Sequence, residues 1–323
     1  MEINDLSIAA VQFEHRDGDK AFNLGRIREL TRQAAAQGAQ VVAFHECSIP
    51  AYSFVQPMSY DDLRSLAEPV PDGPSVQALI EIASECGVHL LAGLFERAGD
   101  RIHNTAVCVN GDGLVGRHRK LHTFVSPHLT PGDGLQIFEI EGWKCAILIC
   151  YDNNLPENVR MAALQGAEIV FMPHVTGCLP SVMPGRGVVD PALWANRDRD
   201  PVRLRQELSG PKGRGWLMRW LPARAWENGL YAIFSNPIGM DYGQVRNGNA
   251  MILDPFGEVQ TECHALGDDV CLGLCTREKL SQSSGRRYLR ARRPDLYGML
   301  TDPPVLPPLT EPGWALEGSP SPG

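Results

Sequence analysis

Residues 145 to 157 read Cys145-Ala-Ile-Leu-Ile-Cys150-Tyr-Asp-Asn-Asn-Leu-Pro-Glu157. The first part is an apolar run of strand length, and a helical stretch begins at Pro156 and ends before Gly166. Cys150 is therefore predicted to lie where a buried strand turns into a helix. A nucleophile on such a turn projects out of the sheet, beside backbone N–H groups that can stabilise an oxyanion. The alternative is a core cysteine at a strand end.

Two further charged residues follow strand-like runs. Gln40-Val-Val-Ala-Phe-His-Glu46 ends in a carboxylate, and Gly113-Leu-Val-Gly-Arg-His-Arg-Lys120 ends in an amine. In an open α/β sheet the ends of parallel strands converge on one crevice, where ligands bind. A carboxylate near a thiol can accept its proton, and an ammonium group stabilises both a thiolate and a tetrahedral oxyanion. These three residues together favour nucleophilic catalysis by Cys150.

With these motifs the chain resembles the nitrilase superfamily of carbon–nitrogen hydrolases over almost its whole length. Ile8-Ala-Ala-Val-Gln12 resembles the first strand of that family, and Glu46 with Tyr52 resembles its first catalytic signature. Arg119-Lys120 resembles the second signature, and residues 150–157 resemble the third. Matches to the later core and the C-terminal segment are Arg224-Ala225, Glu227-Asn228-Gly229, Asn236, Gly248-Asn249, Asp254-Pro255-Phe-Gly257 and Arg292-Arg293-Pro294-Asp295-Leu-Tyr297.

The resemblance implies a fold, an assembly and a set of roles. The fold is a four-layer αββα sandwich of the nitrilase type, and its units pair through helices into a homodimer or a higher homo-oligomer. Glu46 would be the general base, Lys120 would stabilise the intermediate, and Cys150 would attack the substrate carbon. The residues expected to bind the oxyanion or the substrate are Tyr151, Tyr52, Asn153, His174 and His128.

The composition is that of one globular enzyme. The chain has 323 residues, 43% of them hydrophobic, which suffices for a substantial core. We predict one carbon–nitrogen hydrolase domain over residues 1–300 and a proline-rich arm over residues 301–323. The net charge of −8 argues against nucleic acid as a partner, because binding phosphates needs a basic face.

The nine cysteines predict free thiols rather than a disulfide framework. Nine is an odd number, and the acidic start of the sequence does not resemble a signal peptide, so we expect a cytoplasmic location. The Cys271–Cys275 pair reads as part of a strand, where two such residues lie too far apart to chelate one ion. We therefore expect no metal and no cofactor. No apolar run approaches membrane-spanning length.

Strand-like and helical segments alternate along the chain, which predicts an α/β fold. Strands are predicted over residues 6–13, 41–44, 88–95, 102–109, 137–140, 144–149, 168–172, 231–235, 250–254 and 270–275. Helices are predicted over residues 21–37, 75–86, 156–164 and 216–228, with a shorter one over 200–208. Asn110-Gly111-Asp112-Gly113 predicts a hairpin turn.

Two segments depart from the family pattern. Many members carry a second glutamate between the lysine and the cysteine, but residues 121–132 of this chain contain no acid. His128 could substitute for that carboxylate, or it could be a solvated loop residue. The second departure is a long insert, rich in Gly, Pro and Arg, at about residues 177–215. Long loops inside compact domains are usually functional, so we expect a pocket wall or a subunit contact rather than a solvated insertion.

The predicted reaction is hydrolysis of a non-peptide C–N bond, in an amide or an N-carbamoyl group, through a cysteine thioester with release of ammonia. The alternatives are a nitrilase acting on C≡N, a catalytically idle binding protein of the same fold, or a papain-like Cys/His hydrolase. Nitrilases of the family usually follow the nucleophile with Trp-Glu, whereas this chain has Tyr151-Asp152. The smaller ring and the shorter acid would leave room for a planar carboxamide.

Overall fold

The computed structural model describes residues 4–179 and 187–302. Its strands are β1 (Leu6–Gln12), β2 (Val41–Ala43), β3 (His89–Ala98), β4 (Arg101–Asn110), β5 (Gly113–Arg119), β6 (Phe138–Ile140), β7 (Trp143–Ile147), β8 (Ile169–Pro173), β9 (Tyr231–Ser235), β10 (Ile238–Asp241), β11 (Gln244–Asn247), β12 (Met251–Leu253), β13 (Val259–Glu262) and β14 (Asp269–Cys275). Its helices are α1 (Lys20–Ala36), α2 (Tyr60–Leu66), α3 (Pro74–Cys86), α4 (Pro156–Leu164), α5 (Pro191–Ala195), α6 (Pro201–Ser209), α7 (Arg214–Leu217), α8 (Leu221–Trp226), α9 (Arg277–Gln282) and α10 (Ser284–Arg290).

The strands form two six-stranded sheets and one two-stranded hairpin. The first sheet has the order β14-β1-β2-β3-β4-β5, and the second has the order β13-β12-β9-β8-β7-β6. In the first sheet β1, β2 and β3 are parallel neighbours, and in the second β7, β8 and β9 are. Strands β10 and β11 pair with each other.

Three apolar layers hold the sheets and helices together. The inner faces of the two sheets pack against each other through residues such as Ile8, Cys108, Trp143 and Ile233. Helices α1 and α3 cover the outer face of the first sheet. Helices α4 and α8 cover the outer face of the second sheet. This arrangement is an αββα sandwich, and it confirms the predicted fold class.

Most predicted elements agree with the structure to within a few residues, and α4 has the predicted bounds. The helix predicted over residues 216–228 is wrong, because the chain forms α7 and α8 instead. Pro222 accounts for the break. A proline lacks the N–H that continues a helix and disfavours the helical conformation of the residue before it, but it fits the first turn of a new helix.

The described part of the insert is folded. Within residues 187–215 the chain forms α5, α6 and the start of α7, and α6 agrees with the predicted short helix. Trp194, Leu204 and Leu208 from this segment pack with Ile238 and Val245 of the β10–β11 hairpin. Its role as a pocket wall or subunit contact stays a prediction.

The boundaries of the predicted domain and arm also stay predictions. Residues 180–186 of the insert and 303–323 of the proline-rich arm lie outside the described residues. Within the described ranges, no helix combines the length and the apolar composition needed to cross a membrane.

Candidate active site

Strand ends bring the three predicted catalytic residues together. Lys120 directly follows β5 of the first sheet, Glu46 lies three residues beyond β2, and Cys150 lies three residues beyond β7 of the second sheet. The side chains of Lys120 and Glu46 are fully buried and form an ion pair, with Nζ 2.7 Å from Oε1. Both residues are close enough to Cys150 to shift the pKa of its thiol.

The Glu46 carboxylate is held by three donors from three different segments. Oε1 accepts hydrogen bonds from Lys120 and from Nδ2 of Asn104, at 2.7 Å each. Oε2 accepts a hydrogen bond from the backbone N–H of Val175 at 3.1 Å. Asn104 lies in the middle of β4, and Val175 contributes only its backbone, so the sequence carried no signal for either residue.

Lys120 is surrounded by one carboxylate and two aromatic rings. Its ammonium group donates to the Tyr52 hydroxyl at 3.3 Å and lies 5.1 Å from the centre of the Tyr52 ring. The ammonium nitrogen also lies 4.8 Å from the centre of the Phe124 ring. Burial, the largest single influence, would lower the pKa of Lys120, but the surrounding acidic groups, Glu46 foremost, together outweigh burial and raise that pKa well above its usual value. Lys120 is therefore a cation.

Cys150 begins the 3-10 turn Cys150–Asn154, with a left-handed φ of 50°. A non-glycine residue with this backbone conformation is strained, and such strain is common at active sites. Sγ lies 3.8 Å from the carbonyl oxygen of Val175. Burial, and then the carboxylate of Glu46, raise the pKa of Cys150 to about 12, although the ammonium of Lys120 lowers it. Among the described residues the backbone N–H of Tyr151 has no hydrogen-bond partner.

Asp152 connects the 3-10 turn Cys150–Asn154, here called the cysteine turn, to the segment that carries Lys120. Its carboxylate accepts hydrogen bonds from the backbone N–H groups of Ile149, Leu121 and His122, at 3.1, 3.2 and 3.0 Å. It also contacts Nε2 of His118 at 3.3 Å. Asp152 is buried and its carboxylate is engaged in this way, and the predicted steric effect of a shorter acid at this position stays a prediction.

Two of the predicted substrate-binding residues lie behind the cysteine turn. Asn153 donates from Nδ2 to the carbonyl of Leu148 at 2.7 Å and contacts Nε2 of His174 at 3.1 Å. The His174 ring packs between Trp220 and Phe234. Both Asn153 and His174 are fully buried. Burial lowers the pKa of His174 well below its usual value, and so its imidazole is neutral.

The remaining predicted residues lie around the buried trio. Tyr52 contacts Lys120 directly. The Tyr151 side chain is 42% exposed and meets the rings of His122 and Phe124 edge-on. His128 packs its ring against Tyr60, and in the described part of the chain no hydrogen bond joins it to Glu46, Lys120 or Cys150. The lysine is thus flanked by Tyr52 and Phe124 as well as by Glu46.

One group of potential metal ligands occurs among the described residues. His15, Asp17 and Asp241 place one ligand atom each within 4.8 Å of one another. Asp241 is already neutralised by Arg246, whose Nη2 lies 2.7 Å from Oδ2. A divalent cation at this position would face the guanidinium charge, so the donor set fits a hydrogen-bonded network better than a metal.

Comparisons with known proteins show the family of this chain. The family model described as carbon-nitrogen hydrolase matches residues 7–283. An (R)-stereoselective amidase from Pseudomonas sp. is 30% identical over 305 residues, covering 93% of this chain and 96% of the relative. An N-carbamoylputrescine amidase from Solanum lycopersicum is 27% identical over 312 residues, covering 91% and 94%. A nitrilase from Pyrococcus abyssi is 27% identical over 257 residues, covering 79% and 83%.

Solved structures share the fold. The amidase from Nesterenkonia sp. AN1, as a double mutant in complex with acrylamide, superposes with a TM-score of 0.67 at 21% identity, covering 91% of this chain and 96% of that one. A two-sheet αββα sandwich with a cysteine at a strand-to-helix turn is the architecture of a nitrilase-superfamily protein. The chain belongs to the carbon–nitrogen hydrolase family, and it is a hydrolase of that family.

The charges around Cys150 predict how its thiol responds to loss of the neighbouring carboxylate. Glu46→Gln removes the charge that opposes the thiolate and leaves Lys120 to stabilise it. We therefore expect the pKa of Cys150 to fall, so that iodoacetamide labels it at lower pH than in the wild type. The measurement is the labelling rate of the Cys150 peptide against pH, by mass spectrometry.

Cys86 is the internal control for that experiment, because it is partly exposed and its surroundings do not include Glu46. Its labelling profile should be the same in both proteins. An unchanged or higher labelling midpoint for Cys150 would contradict the electrostatic account.

Proposed function

We propose that the protein hydrolyses the C–N bond of an amide or N-carbamoyl group, releases ammonia and passes through a thioester on Cys150. The observation that carries the proposal is the buried Glu46–Lys120 ion pair at the thiol of Cys150. A base, a fixed cation and a nucleophile at one point are the parts that acyl transfer needs. The amidases among the relatives support an amide or carbamoyl carbon as the target.

The first half of the reaction acylates the enzyme. Glu46 accepts the thiol proton of Cys150, and the thiolate attacks the carbonyl carbon of the substrate. The new C–S bond pushes the carbonyl electrons onto oxygen, where Lys120 and the backbone N–H of Tyr151 stabilise the negative charge. The C=O bond then re-forms, the C–N bond breaks, and the nitrogen takes the proton from Glu46 and leaves as ammonia.

The second half releases the acid. Glu46, ionised again, takes a proton from a water molecule, whose oxygen attacks the thioester carbon. The second oxyanion is held by the same two donors, and its collapse expels the Cys150 thiolate, which regains the proton from Glu46. In this sequence Glu46 acts as a base and then as an acid in each half of the reaction, and the high pKa of Cys150 makes its thiolate a good proton acceptor at the end.

Other residues take supporting roles in this proposal. Tyr52 and Phe124 hold Lys120 in place of a second carboxylate, because their rings and the Tyr52 hydroxyl surround its ammonium group. Asn153 and His174 support the cysteine turn from behind and do not touch the substrate. Tyr151 lines the mouth of the site. His128, on the rim against Tyr60, is a substrate contact at most.

We also propose a homo-oligomer that works in a reducing, cytoplasmic compartment. None of the nine cysteines, all of which the structure describes, forms a disulfide, which suits such a compartment. Helices α4, α8 and α10 and the segment after α10 expose several large apolar side chains, and two of them, Tyr288 and Leu300, line a surface cleft of about 400 Å³. These side chains are Met161, Leu164, Trp226, Tyr288, Leu296, Met299 and Leu300. A second copy of the chain would cover this apolar surface.

A substitution series tests the proposed catalytic trio. Cys150→Ala should abolish turnover and leave the fold intact, because it removes the nucleophile without adding charge. Glu46→Gln and Lys120→Ala should each lose several orders of magnitude in kcat, and the losses should not add, because the three residues act as a unit. The measurement is ammonia release, with circular dichroism as the control for folding. Activity of Cys150→Ala within about tenfold of the wild type would refute the assignment.

A matched amide and nitrile decide between the two candidate activities. We expect a higher kcat/KM for the amide, because Lys120 and the Tyr151 N–H are arranged for a carbonyl oxyanion, and several relatives are amidases. N-carbamoyl compounds belong in the same ammonia-release screen. A nitrile that is hydrolysed faster than its amide would overturn the amidase proposal but leave the catalytic trio standing. If none of these compounds is hydrolysed, the result would favour the alternative of a catalytically idle binding protein.

The apolar surface on α4 predicts an effect on the assembly. Met161→Glu should lower the mass in solution, measured by light scattering, because it buries an unpaired charge in the proposed interface. Val202→Glu is the matched control, since Val202 is also an exposed apolar residue but lies on α6 of the insert. A monomeric wild type, or equal masses for both variants and the wild type, would contradict the proposed interface.

A further inference from the structure

The loop that carries Glu46 and Tyr52 is strained. This Glu46 loop, residues 45–53, is buried along its whole length. It contains two non-glycine residues with left-handed backbones, Cys47 with a φ of 45° and Ala51 with a φ of 73°. Each such residue costs free energy and persists only where its surroundings hold it in place. The loop therefore needs fixed points at its two ends.

The start of the loop is tied to Asp241 through two histidines. Nε2 of His45 lies 3.0 Å from Nδ1 of His15, and Nε2 of His15 lies 3.3 Å from Oδ1 of Asp241. All three side chains are buried. When both rings are neutral, Asp241 accepts from Nε2–H of His15, and Nδ1 of His15 accepts from Nε2–H of His45.

The end of the loop is tied to the same carboxylate. Ser53 donates from its backbone N–H to Oδ1 of Asp241 at 3.2 Å and from its hydroxyl to Oδ2 at 2.6 Å. Arg246, on β11, donates a hydrogen bond from Nε to Oδ2 of Asp241, on β10, at 2.8 Å. Burial would raise the pKa of Asp241, but Arg246 and the hydrogen bonds from His15 and Ser53 keep that pKa far below its usual range. Asp241 is therefore ionised.

We propose that Asp241 closes both ends of the Glu46 loop, directly at Ser53 and through His15 at His45, and that these residues position Glu46 for catalysis. This inference rests on the proposed function. None of the four touches the reacting atoms, so they are positioning residues rather than catalytic ones.

Glu46 depends on this closure because its partners lie on other segments. Its carboxylate must meet Asn104 of β4, Lys120 after β5 and the backbone of Val175 after β8 at the same time. His45 is the residue directly before Glu46, and Tyr52, which contacts Lys120, is directly before Ser53. A displacement of about 1 Å at a catalytic group can cost about 100-fold in rate.

The loop also packs closely against β3, which limits the directions in which it can move. A Cβ atom added to Gly93 of β3 would lie 2.3 Å from the backbone nitrogen of Cys47, which shows how tightly the first sheet presses on the loop. Ile49 also donates its N–H to the carbonyl of Gly93 at 3.1 Å. Without Asp241 the loop could relax only away from β3, and Glu46 would move with it.

Substitutions at His45 and Asp241 test the closure. His45→Phe keeps a ring but removes the hydrogen bond, and we expect kcat to fall about tenfold or more with KM changed less than about threefold. His45→Gln keeps an amide donor and should recover part of the loss. Asp241→Asn should lower kcat further, and the His45→Phe/Asp241→Asn double variant should lose less than the product of the two single losses.

Asp254→Asn is the matched control. Asp254 is also a buried carboxylate with a cationic partner, Lys279, but it lies in the turn after β12 and contacts no residue of the Glu46 loop. This variant should lower the melting temperature and leave kcat unchanged below it. If Asp241→Asn does not fold, the His45→Phe and His45→Gln pair carries the test alone.

A second readout does not need a substrate. Displacement of Glu46 in His45→Phe should move the pH profile of iodoacetamide labelling at Cys150 toward the profile of Glu46→Gln. If the wild type hydrolyses nothing but the labelling profile still moves, the proposed function fails and the closure stands. Unchanged kcat and an unchanged profile in His45→Phe would overturn the closure, as would an equal loss of kcat in Asp254→Asn.

Discussion

The buried ion pair between Lys120 and Glu46 is the interaction on which the rest of the site depends. Either charge alone would be costly in this buried position, since removing one partner of a buried pair commonly costs about 3–5 kcal/mol. The segments after β2 and β5 of the first sheet therefore have to present the two side chains with little freedom. Asn104, the Val175 backbone and two aromatic rings complete the surroundings that make the pair tolerable.

The Glu46 carboxylate also connects the two halves of the sandwich, through its hydrogen bond from Val175. Glu46 and Lys120 follow strands of the first sheet, whereas Cys150 and Val175 follow strands of the second. Asp152 bridges the halves a second time, because it belongs to the cysteine turn and accepts hydrogen bonds from the chain next to Lys120. The apolar layer between the sheets thus sets the distance between nucleophile and base, and the site inherits the rigidity of that core.

The sequence predicted the parts of the site that end strands, and the reason is local. Glu46, Lys120 and Cys150 each follow an apolar run, so their positions could be read from the pattern around them. Asn104 lies inside a strand, Val175 acts through its peptide group, and Asp241 meets His15 across more than 200 residues, so no local pattern marks them. Asn153 and His174 were expected to bind the substrate or oxyanion because they adjoin the motif and a strand end, yet their side chains face inward.

The backbone of Val175 contacts two catalytic residues at once. Its N–H donates a hydrogen bond to Oε2 of Glu46, and its own carbonyl oxygen accepts one from the thiol of Cys150. One residue therefore contacts both the base and the nucleophile. A proton on Glu46 weakens the first contact, and an acylated sulfur has no hydrogen for the second. The amide resonance of Val175 in a heteronuclear spectrum is thus a built-in reporter. We expect its position to differ among the resting, protonated and acylated forms of the isotope-labelled enzyme, with no chemical probe attached.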